Sequence, residues 1–266
     1  MKKLSKRKGE ELFLKLFLPL VFLGILLLVW SLLCKSVPSF PTPSGTFANF
    51  VEKLSDPFYI NSENDKGIFW QLQNSLFRVF AGFSLAVIVG VPVGIMVGMS
   101  KYVYWMLNPF IQIFKPVSPL AWLPLALLVF KEINATAVLV LFITSIWPII
   151  ANTALGVKSV NEDYLNVAKV LSFNPLEKVF KIILPVAIPY IFTGMRLSLG
   201  IGWLVIVAAE MLTGGIGIGF WIWDEYNNLN YTSIVVGILI VGIVGFVLDL
   251  MMGWLANRFD YRTYGA

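Results

Sequence analysis

The sequence predicts an all-α protein that crosses a membrane about six times. Of its 266 residues, 58% are hydrophobic and 13% are charged, whereas roughly a quarter of the residues in an ordinary soluble domain are charged. Apolar stretches recur along the chain, and a helix needs about 20 mostly apolar residues to cross a bilayer. Lys and Arg residues lie at the ends of these stretches and form no contiguous basic face, so we expect no nucleic-acid partner.

Six apolar stretches are candidates for membrane spans, at 12–34, 72–99, 117–130, 134–157, 186–212 and 232–256. The third is the shortest. The first follows the run MKKLSKRK and no small-residue cleavage site follows it, so we expect a retained signal-anchor helix. We divide the chain into an anchor helix with a partly extended external linker (1–68), a transmembrane core (69–257) and a cytoplasmic tail (258–266).

The distribution of Lys and Arg predicts the orientation, because positively charged loops remain on the cytoplasmic side of a membrane. With the N-terminus inside, six crossings return the C-terminus to the same side. Four cations then lie outside and thirteen inside. The outer four are Lys35, Lys53, Lys66 and Lys131; the inner thirteen are Lys2, Lys3, Lys6, Arg7, Lys8, Lys15, Lys101, Lys158, Lys169, Lys178, Lys181, Arg258 and Arg262. We expect a multi-pass protein of the bacterial inner membrane with both termini in the cytoplasm.

The composition argues against most enzyme chemistry. The chain has no His and one Cys, which excludes a His/Cys metal site, a Ser-His-Asp triad and a disulfide framework. It has no phosphate-binding G-x-x-x-x-G-K-[ST] loop. An intramembrane hydrolase would need paired acids, but Glu210 and Asp249 lie on different predicted helices. We therefore expect neither an enzyme nor a bound metal or cofactor.

A long loop between the fourth and fifth spans carries most of the functional signal. Ser159 and Glu162 have the spacing of a capping box, and Asp163 favours the same helix start. Asn174, Pro175 and Glu177 repeat the start signal, so we expect two short amphipathic helices. An apolar face with helical spacing follows the first start, formed by Tyr164, Val167, Ala168 and Leu171. These helices either lie on the lipid headgroups or dock a cytosolic partner; an assembly protein would not need so patterned a loop.

This loop resembles the "EAA" motif of ABC-importer permeases, which reads E-A-A, three residues, Gly, nine residues, I-x-L-P. The corresponding positions hold Asn166-Val167-Ala168, Ser172 and Ile182-Ile183-Leu184-Pro185. Four residues agree with the motif at the correct spacing: Ala168, and Ile182, Leu184 and Pro185 at the I-x-L-P end. Asn166 replaces the motif's Glu and Ser172 replaces its Gly, so no role for a carboxylate at position 166 carries over.

The resemblance extends over about residues 68–257. Segments such as NSLFRVFAGFSLA, SIWPIIANTALGV and GIVGFVLDLMMGWLANR resemble the nitrate, sulfonate, taurine and bicarbonate branch of these permeases, and VAAEMLTGG with GFWIWDEYN is most similar to its nitrate and bicarbonate members. The resemblance implies a type I importer permease fold. It also implies ATP-driven uptake of nitrate or nitrite, with bicarbonate or a sulfonate such as taurine as the alternative.

The same resemblance implies the partners. Two copies of the chain would form the pathway, two cytosolic ATPase subunits would bind ATP and Mg²⁺, and a periplasmic or lipid-anchored protein would deliver the substrate. The loop would act as the helix that couples each permease copy to its ATPase. The implied coupling residues are Glu162, Asp163, Tyr164, Leu165, Asn166, Val167, Ala168, Leu171 and Ser172.

Charged residues within the spans are functional candidates, because a charge in a membrane is costly. We name Arg196, Lys115 and Arg78 as candidates to line an anion pathway, each with a structural alternative. Arg196 could instead pair with Asp249 at similar depth. Arg78 could pair with Glu210 near the outer ends of their helices, the interpretation we favour, and Lys115, expected near the inner mouth, could snorkel to the headgroups.

Glycines in the second span indicate close helix packing. Gly90, Gly94 and Gly98 form two overlapping G-x-x-x-G units, which allow helices to approach closely. We expect this contact within one subunit rather than between two.

Overall fold

The computed structural model describes residues 2–37, 39–62 and 65–259, and the side chains of residues 2–13 and 16 lie outside the description. The predicted all-α class is confirmed. Within the described part the α-helices are α1 (Lys2–Ser36), α2 (Pro43–Ser55), α3 (Ile68–Met99), α4 (Lys101–Phe114), α5 (Leu123–Phe130), α6 (Ile133–Lys158), α7 (Glu162–Val170), α8 (Pro175–Lys178), α9 (Leu184–Thr213), α10 (Ile218–Asn227) and α11 (Tyr231–Arg258). The predicted cations at positions 2–8, and most of the predicted tail at 258–266, fall outside the described side chains and residues.

Helix α6 forms the centre of the bundle and packs between α3 and α9. Its side chains Leu141 and Ile149 are almost fully buried. The glycines of α3 meet α6 in a regular order: Gly82 faces Leu141, Gly90 faces Ile149, and the contact continues to Gly98 against Val157. Because both residue numbers increase together along this contact, α3 and α6 are parallel.

The parallel packing of α3 and α6 requires the chain between them to cross back through the bundle. Residues 101–130 make this return as two helical segments, Lys101–Phe114 and Pro119–Phe130, bent by 91°. Among the described residues, five helices are each long and apolar enough to span a membrane, and the bent pair, taken as one span, raises the number of crossings to six. The third span predicted at 117–130 was therefore too short: residues 117–130 form only its second half, and the crossing begins at Lys101.

Helices α9 and α11 complete the bundle as an antiparallel pair. Gly156 of α6 faces Tyr190, and Gly194 of α9 faces Pro148, so α9 runs against α6. Trp203 donates its indole N–H to the Val241 carbonyl at 2.9 Å. The other predicted spans agree with α1, α3, α6, α9 and α11 to within a few residues at most ends, and the inner end of α11 lies on the same side as α7.

The linker after α1 contains a helix where we expected partly extended chain. Thr42 accepts a hydrogen bond from the Gly45 amide at 3.2 Å, and Pro43 occupies the first helical position. Both features favour a helix start. Helix α2 then contacts the N-terminal end of α11, where Ser233 Oγ and Asn49 Oδ1 lie 3.2 Å apart. This contact puts the C-terminal end of α1 on the side of the bundle opposite α7.

The glycines of α3 pack within one subunit, as predicted. We expect Gly94→Ala to destabilise the protein by about 1–3 kcal/mol, because overpacking a tight contact costs about that much. Its new Cβ would lie 2.6 Å from Thr153 Cβ and 3.0 Å from the Ile150 carbonyl oxygen. Thermal unfolding in detergent measures the change. Gly242→Ala is the matched control, since a Cβ there meets no atom within 4 Å; equal losses in both variants would contradict the packing explanation.

Candidate functional site: the α7 surface and the charged pairs

Helix α7 begins at a different cap from the one predicted. Asn161 is the N-cap, and its side chain accepts a hydrogen bond from the Asp163 amide at 3.0 Å. Ser159 instead terminates α6 and donates to the Gly156 carbonyl at 2.8 Å. Glu162 and Asp163 lie in the first turn of α7, where carboxylates interact favourably with the positive end of the helix dipole.

The end of α7 explains the glycine of the motif. Ser172 has a left-handed backbone with φ of 52°. The Ser172 amide donates to the Lys169 carbonyl, and the Phe173 amide to the Ala168 carbonyl. These two hydrogen bonds form a Schellman motif, whose left-handed position favours glycine. The chain therefore forms the left-handed turn that the motif's glycine would make, but Ser172 adopts this backbone conformation at a steric cost.

We expect Ser172→Gly to stabilise the α7 turn by about 0.5–1 kcal/mol, because glycine adopts positive φ without steric cost. Ser159→Gly is the control, since Ser159 has a helical backbone with φ of −80° and glycine there should destabilise. Hydrogen exchange of the amides in α7 measures the effect of Ser172→Gly, and exchange of the amides in the last turn of α6 measures that of Ser159→Gly. Faster exchange in Ser172→Gly would mean that the left-handed turn carries no strain.

Only one edge of α7 packs against the bundle. Ala168 is 2% exposed, and Leu165 packs with the cluster that contains Ile183 and Ala187. Ala168 thus faces the interior and does not belong to the exposed apolar face in which we had placed it. Four other apolar residues of α7 and its end are more than half exposed. We call them the α7 surface: Tyr164, Val167, Val170 and Leu171.

Sequence reasoning missed Val170 and misjudged the second helix of the loop. Val170 is 83% exposed and lies three residues after Val167, so helical spacing could have included it. The predicted capping box at Asn174 and Glu177 is confirmed, with the Glu177 amide donating to Asn174 Oδ1 at 2.8 Å. However, α8 does not stand alone, because a π-helical turn (Val179–Ile183) joins it directly to α9.

Arg78 and Glu210 form a buried ion pair near the end of the bundle opposite α7. Arg78 Nη1 lies 2.6 Å from Glu210 Oε1, with both side chains almost fully buried. Arg78 Nε also donates to Asn134 Oδ1 at 2.8 Å. The structural alternative for Arg78 is thus confirmed, and Arg78 no longer counts among the pathway candidates because it offers no free face to an anion.

Other donors complete the surroundings of Glu210. Ser75 Oγ lies 2.8 Å from Glu210 Oε2, and the Gly219 amide donates to the same oxygen at 3.0 Å. The Gly217 amide donates to Gln71 Oε1 at 2.7 Å. These bonds fix the start of α10 over the N-terminal end of α3 and the C-terminal end of α9.

The start of α6 beside this pair is fixed by Glu132. Its carboxylate accepts hydrogen bonds from the Asn134 amide at 2.8 Å and the Ala135 amide. The Ala135 amide and then the Asn134 amide lower the pKa of Glu132 below its usual value. The cap positions Asn134, whose side chain receives Arg78.

Arg196 pairs with Asp249, as the structural alternative predicted. Arg196 Nε donates to Asp249 Oδ1 at 2.6 Å, and Nη2 contacts Oδ2. The two side chains are 47% and 50% exposed, so the pair lies on the surface of one copy of the chain. Arg196 also lines a cavity of about 560 Å³ with Tyr190, Thr193 and Asn257.

We had expected Lys115 near the inner mouth of the pathway, but it lies deeper in the bundle. It follows Phe114, whose ring stacks on Trp147 with centroids 6.4 Å apart. Trp147 is near the middle of α6 (Ile133–Lys158). Lys115 is exposed, at the bend between the two halves of the third crossing.

The all-helical bundle with up to six crossings is that of a multi-pass membrane protein, and α7 leaves an apolar helix face exposed at one end of it. Residues 90–261 match the family described as "Binding-protein-dependent transport system inner membrane component". The chain belongs to this family and is the membrane permease of an ABC importer, whose ATPase is a separate subunit.

Three known proteins are informative neighbours. The chain is 44% identical over 234 residues to the nitrate import permease protein of Leptolyngbya laminosa, covering 88% of this chain and 84% of the relative. It is 42% identical over 244 residues to the bicarbonate transport system permease protein of Synechococcus elongatus, covering 90% and 88%. Its fold matches a chain of the inward-facing MetNI methionine ABC transporter with a TM-score of 0.65 and 15% identity, covering 73% of this chain and 98% of that one.

Proposed function

We propose that two copies of this chain form the translocation pathway of an ATP-driven importer of nitrate and nitrite. The observation that carries the proposal is the 44% identity to a nitrate import permease over 88% of the chain. A second candidate substrate is bicarbonate, which is favoured by the 42% identity to a bicarbonate permease over a similar length. Both are small monovalent anions, so the two candidates require the same kind of pathway.

The α7 surface is the proposed seat of the ATPase. Its apolar side chains are left exposed by the chain's own packing, and Glu162, Asp163 and Lys169 surround them with charges. An apolar centre with a polar rim is typical of protein interfaces. Each permease copy would seat one ATPase subunit there, and ATP and Mg²⁺ would bind to that subunit while this chain holds no cofactor.

The α7 side of the bundle is the proposed cytoplasmic side, with both termini on it. The support is the excess of Lys and Arg on that side. A substrate-binding protein would then approach the opposite side, which carries α2 and α10. Closure of the two ATPase subunits would push the α7 helices together and switch the bundle between outward-open and inward-open states.

The substrate is tested by reconstituting the chain with the ATPase and binding proteins encoded beside it. Binding-protein-dependent ATP hydrolysis is measured with nitrate, nitrite, bicarbonate and taurine in parallel. We expect nitrate and nitrite to stimulate hydrolysis, whereas stimulation by bicarbonate alone would transfer the proposal to the second candidate. Stimulation by none of the anions would contradict the proposed transport function.

A further inference from the structure

Helix α4 is polar along one side and apolar along the other. The polar side chains recur at intervals of three or four residues, which places them on one face of a helix. We call this face the polar stripe: Lys101, Tyr104, Asn108, Gln112 and Lys115. The opposite face carries large apolar residues that are exposed, namely Tyr102, Met106, Phe110 and Ile113, while the exposed Trp105 borders the stripe beside Gln112. Within a membrane the apolar face suits lipid, and the polar stripe needs a different environment.

The polar stripe runs from the α7 side of the bundle to its middle. At its start, Lys158 Nζ of α6 lies 4.0 Å from the centroid of the Tyr104 ring. At its end, Phe114 stacks on Trp147. Trp147 precedes Lys158 by eleven residues, or about 16 Å of helix. A helix lying flat on the membrane surface would keep Phe114 at the depth of Lys158, so α4 must enter the bundle.

Lys115 cannot reach water by extending past lipid. A lysine side chain is about 6 Å long, well short of the roughly 16 Å to the α7 side of the bundle. Within the described part of the chain Lys115 forms no ion pair. An unpaired cation at this depth is therefore expected to face a water-filled cavity, as intramembrane charges do.

Lys115 is also an uncompensated charge. Arg196 lies at similar depth, since Gly194 faces Pro148 beside Trp147, but Asp249 neutralises it. Among the described residues near the depth of Trp147, Arg196 is therefore a paired cation and Lys115 an unpaired one. A net positive charge in a narrow aqueous cavity attracts anions and repels cations.

We propose that the polar stripe of α4 lines the half of the anion pathway nearest α7, and that Lys115 holds the anion midway across. Tyr104, Asn108 and Gln112 then supply hydrogen-bond donors along the exit. Helix α4 ends at mid-depth with Lys115 as its C-cap, so the proposed pathway changes direction at the bend after Phe114. This inference rests on the proposed function, since it takes a small anion as the substrate.

Cysteine accessibility tests the placement of the stripe. The chain has a single cysteine, Cys34, so Cys34→Ser gives a clean background for Gln112→Cys and Ile113→Cys. Both positions are exposed, adjacent and at nearly equal depth, but they lie about 100° apart on the helix. The assembled transporter is treated from the α7 side with 2-sulfonatoethyl methanethiosulfonate, an anionic thiol reagent. We expect Gln112→Cys to react at least about tenfold faster, because the thiolate reacts only where water reaches it. Equal rates, or faster reaction at Ile113→Cys, would overturn the proposal.

Transport measurements test Lys115 itself. We expect Lys115→Met to lower anion flux at least about tenfold in proteoliposomes, while binding-protein-stimulated ATP hydrolysis and assembly persist. Lys115→Arg should restore most of the flux, because it restores the charge. Loss of flux and ATP hydrolysis together, or no rescue by Lys115→Arg, would assign Lys115 a structural role instead. The labelling pattern does not depend on which anion is carried, so a failed nitrate assignment leaves the accessibility result intact and is recognised separately.

Discussion

Val167→Lys is expected to weaken binding of the ATPase subunit about a hundredfold, because a charge would replace a central contact of a desolvated interface. Coupled transport should be lost with it. Val167 is 52% exposed on the α7 surface, so lysine fits there without strain and the permease alone should unfold at an unchanged temperature. Co-purification of the two subunits and ATP-driven uptake measure the two effects.

The control for this prediction is Val51→Lys on α2. Val51 is also 52% exposed, but it lies on the opposite side of the bundle, so the same substitution should leave ATPase binding unchanged. Normal ATPase binding by Val167→Lys would mean that α7 rests on lipid headgroups, the alternative that the loop pattern left open. Ala168 is unsuitable for this test, because it is buried and lysine there would disturb the bundle itself.

Much of the fold could be predicted because five of the six crossings are long and continuous apolar runs. The third crossing was predicted too short for a physical reason. Its first half, α4, carries a polar stripe and an internal proline, Pro109, and such a segment has the composition of a loop. Its membrane depth becomes evident only from the parallel packing of α3 and α6, which no local pattern encodes.

For single residues of α7, too, a local sequence pattern could not predict the packing. Periodicity identified an apolar face that contains Val167 and Ala168, but it could not tell which part of that face packs inward. The small side chain of Ala168 lets α7 approach the bundle, whereas Val167 projects away from it. The pairing of Arg78 with Glu210 could be predicted from depth and opposite charge. Ser75 and Gly219 around Glu210 could not be predicted, because neither residue carries a charge that marks it as a partner.

The α7 side and the outer ion pair are joined by one continuous helical segment. Residues 175–213 run from α8 through the π-helical turn into α9, a stretch of 39 residues. Leu165 packs near the start of this segment, and Glu210 lies near its end. In the proposed cycle, a displacement of α7 by the ATPase would reach the outer end of the bundle through this segment.

The ion pair between Arg78 and Glu210, at the end of this segment, should contribute strongly to the free energy of unfolding of the permease. We expect Arg78→Met to lower the free energy of unfolding by about 3–5 kcal/mol, because it leaves the Glu210 carboxylate buried without a cation. Glu210→Met should cost a similar amount, since it leaves Arg78 buried and also deprives Ser75 and Gly219 of their acceptor. Unfolding of the purified permease in detergent measures both variants.

The double variant Arg78→Met with Glu210→Met separates the two explanations for such losses. If the uncompensated charge causes the loss, the double variant should be clearly more stable than the sum of the single losses predicts, because it buries no unpaired charge. Additive losses would instead mean that each side chain acts through its own hydrogen bonds, Arg78 with Asn134 and Glu210 with Gly219. Lys181→Met is the control, because its partner Glu177 lies 3.0 Å away in a solvent-exposed pair, and exposed pairs contribute little.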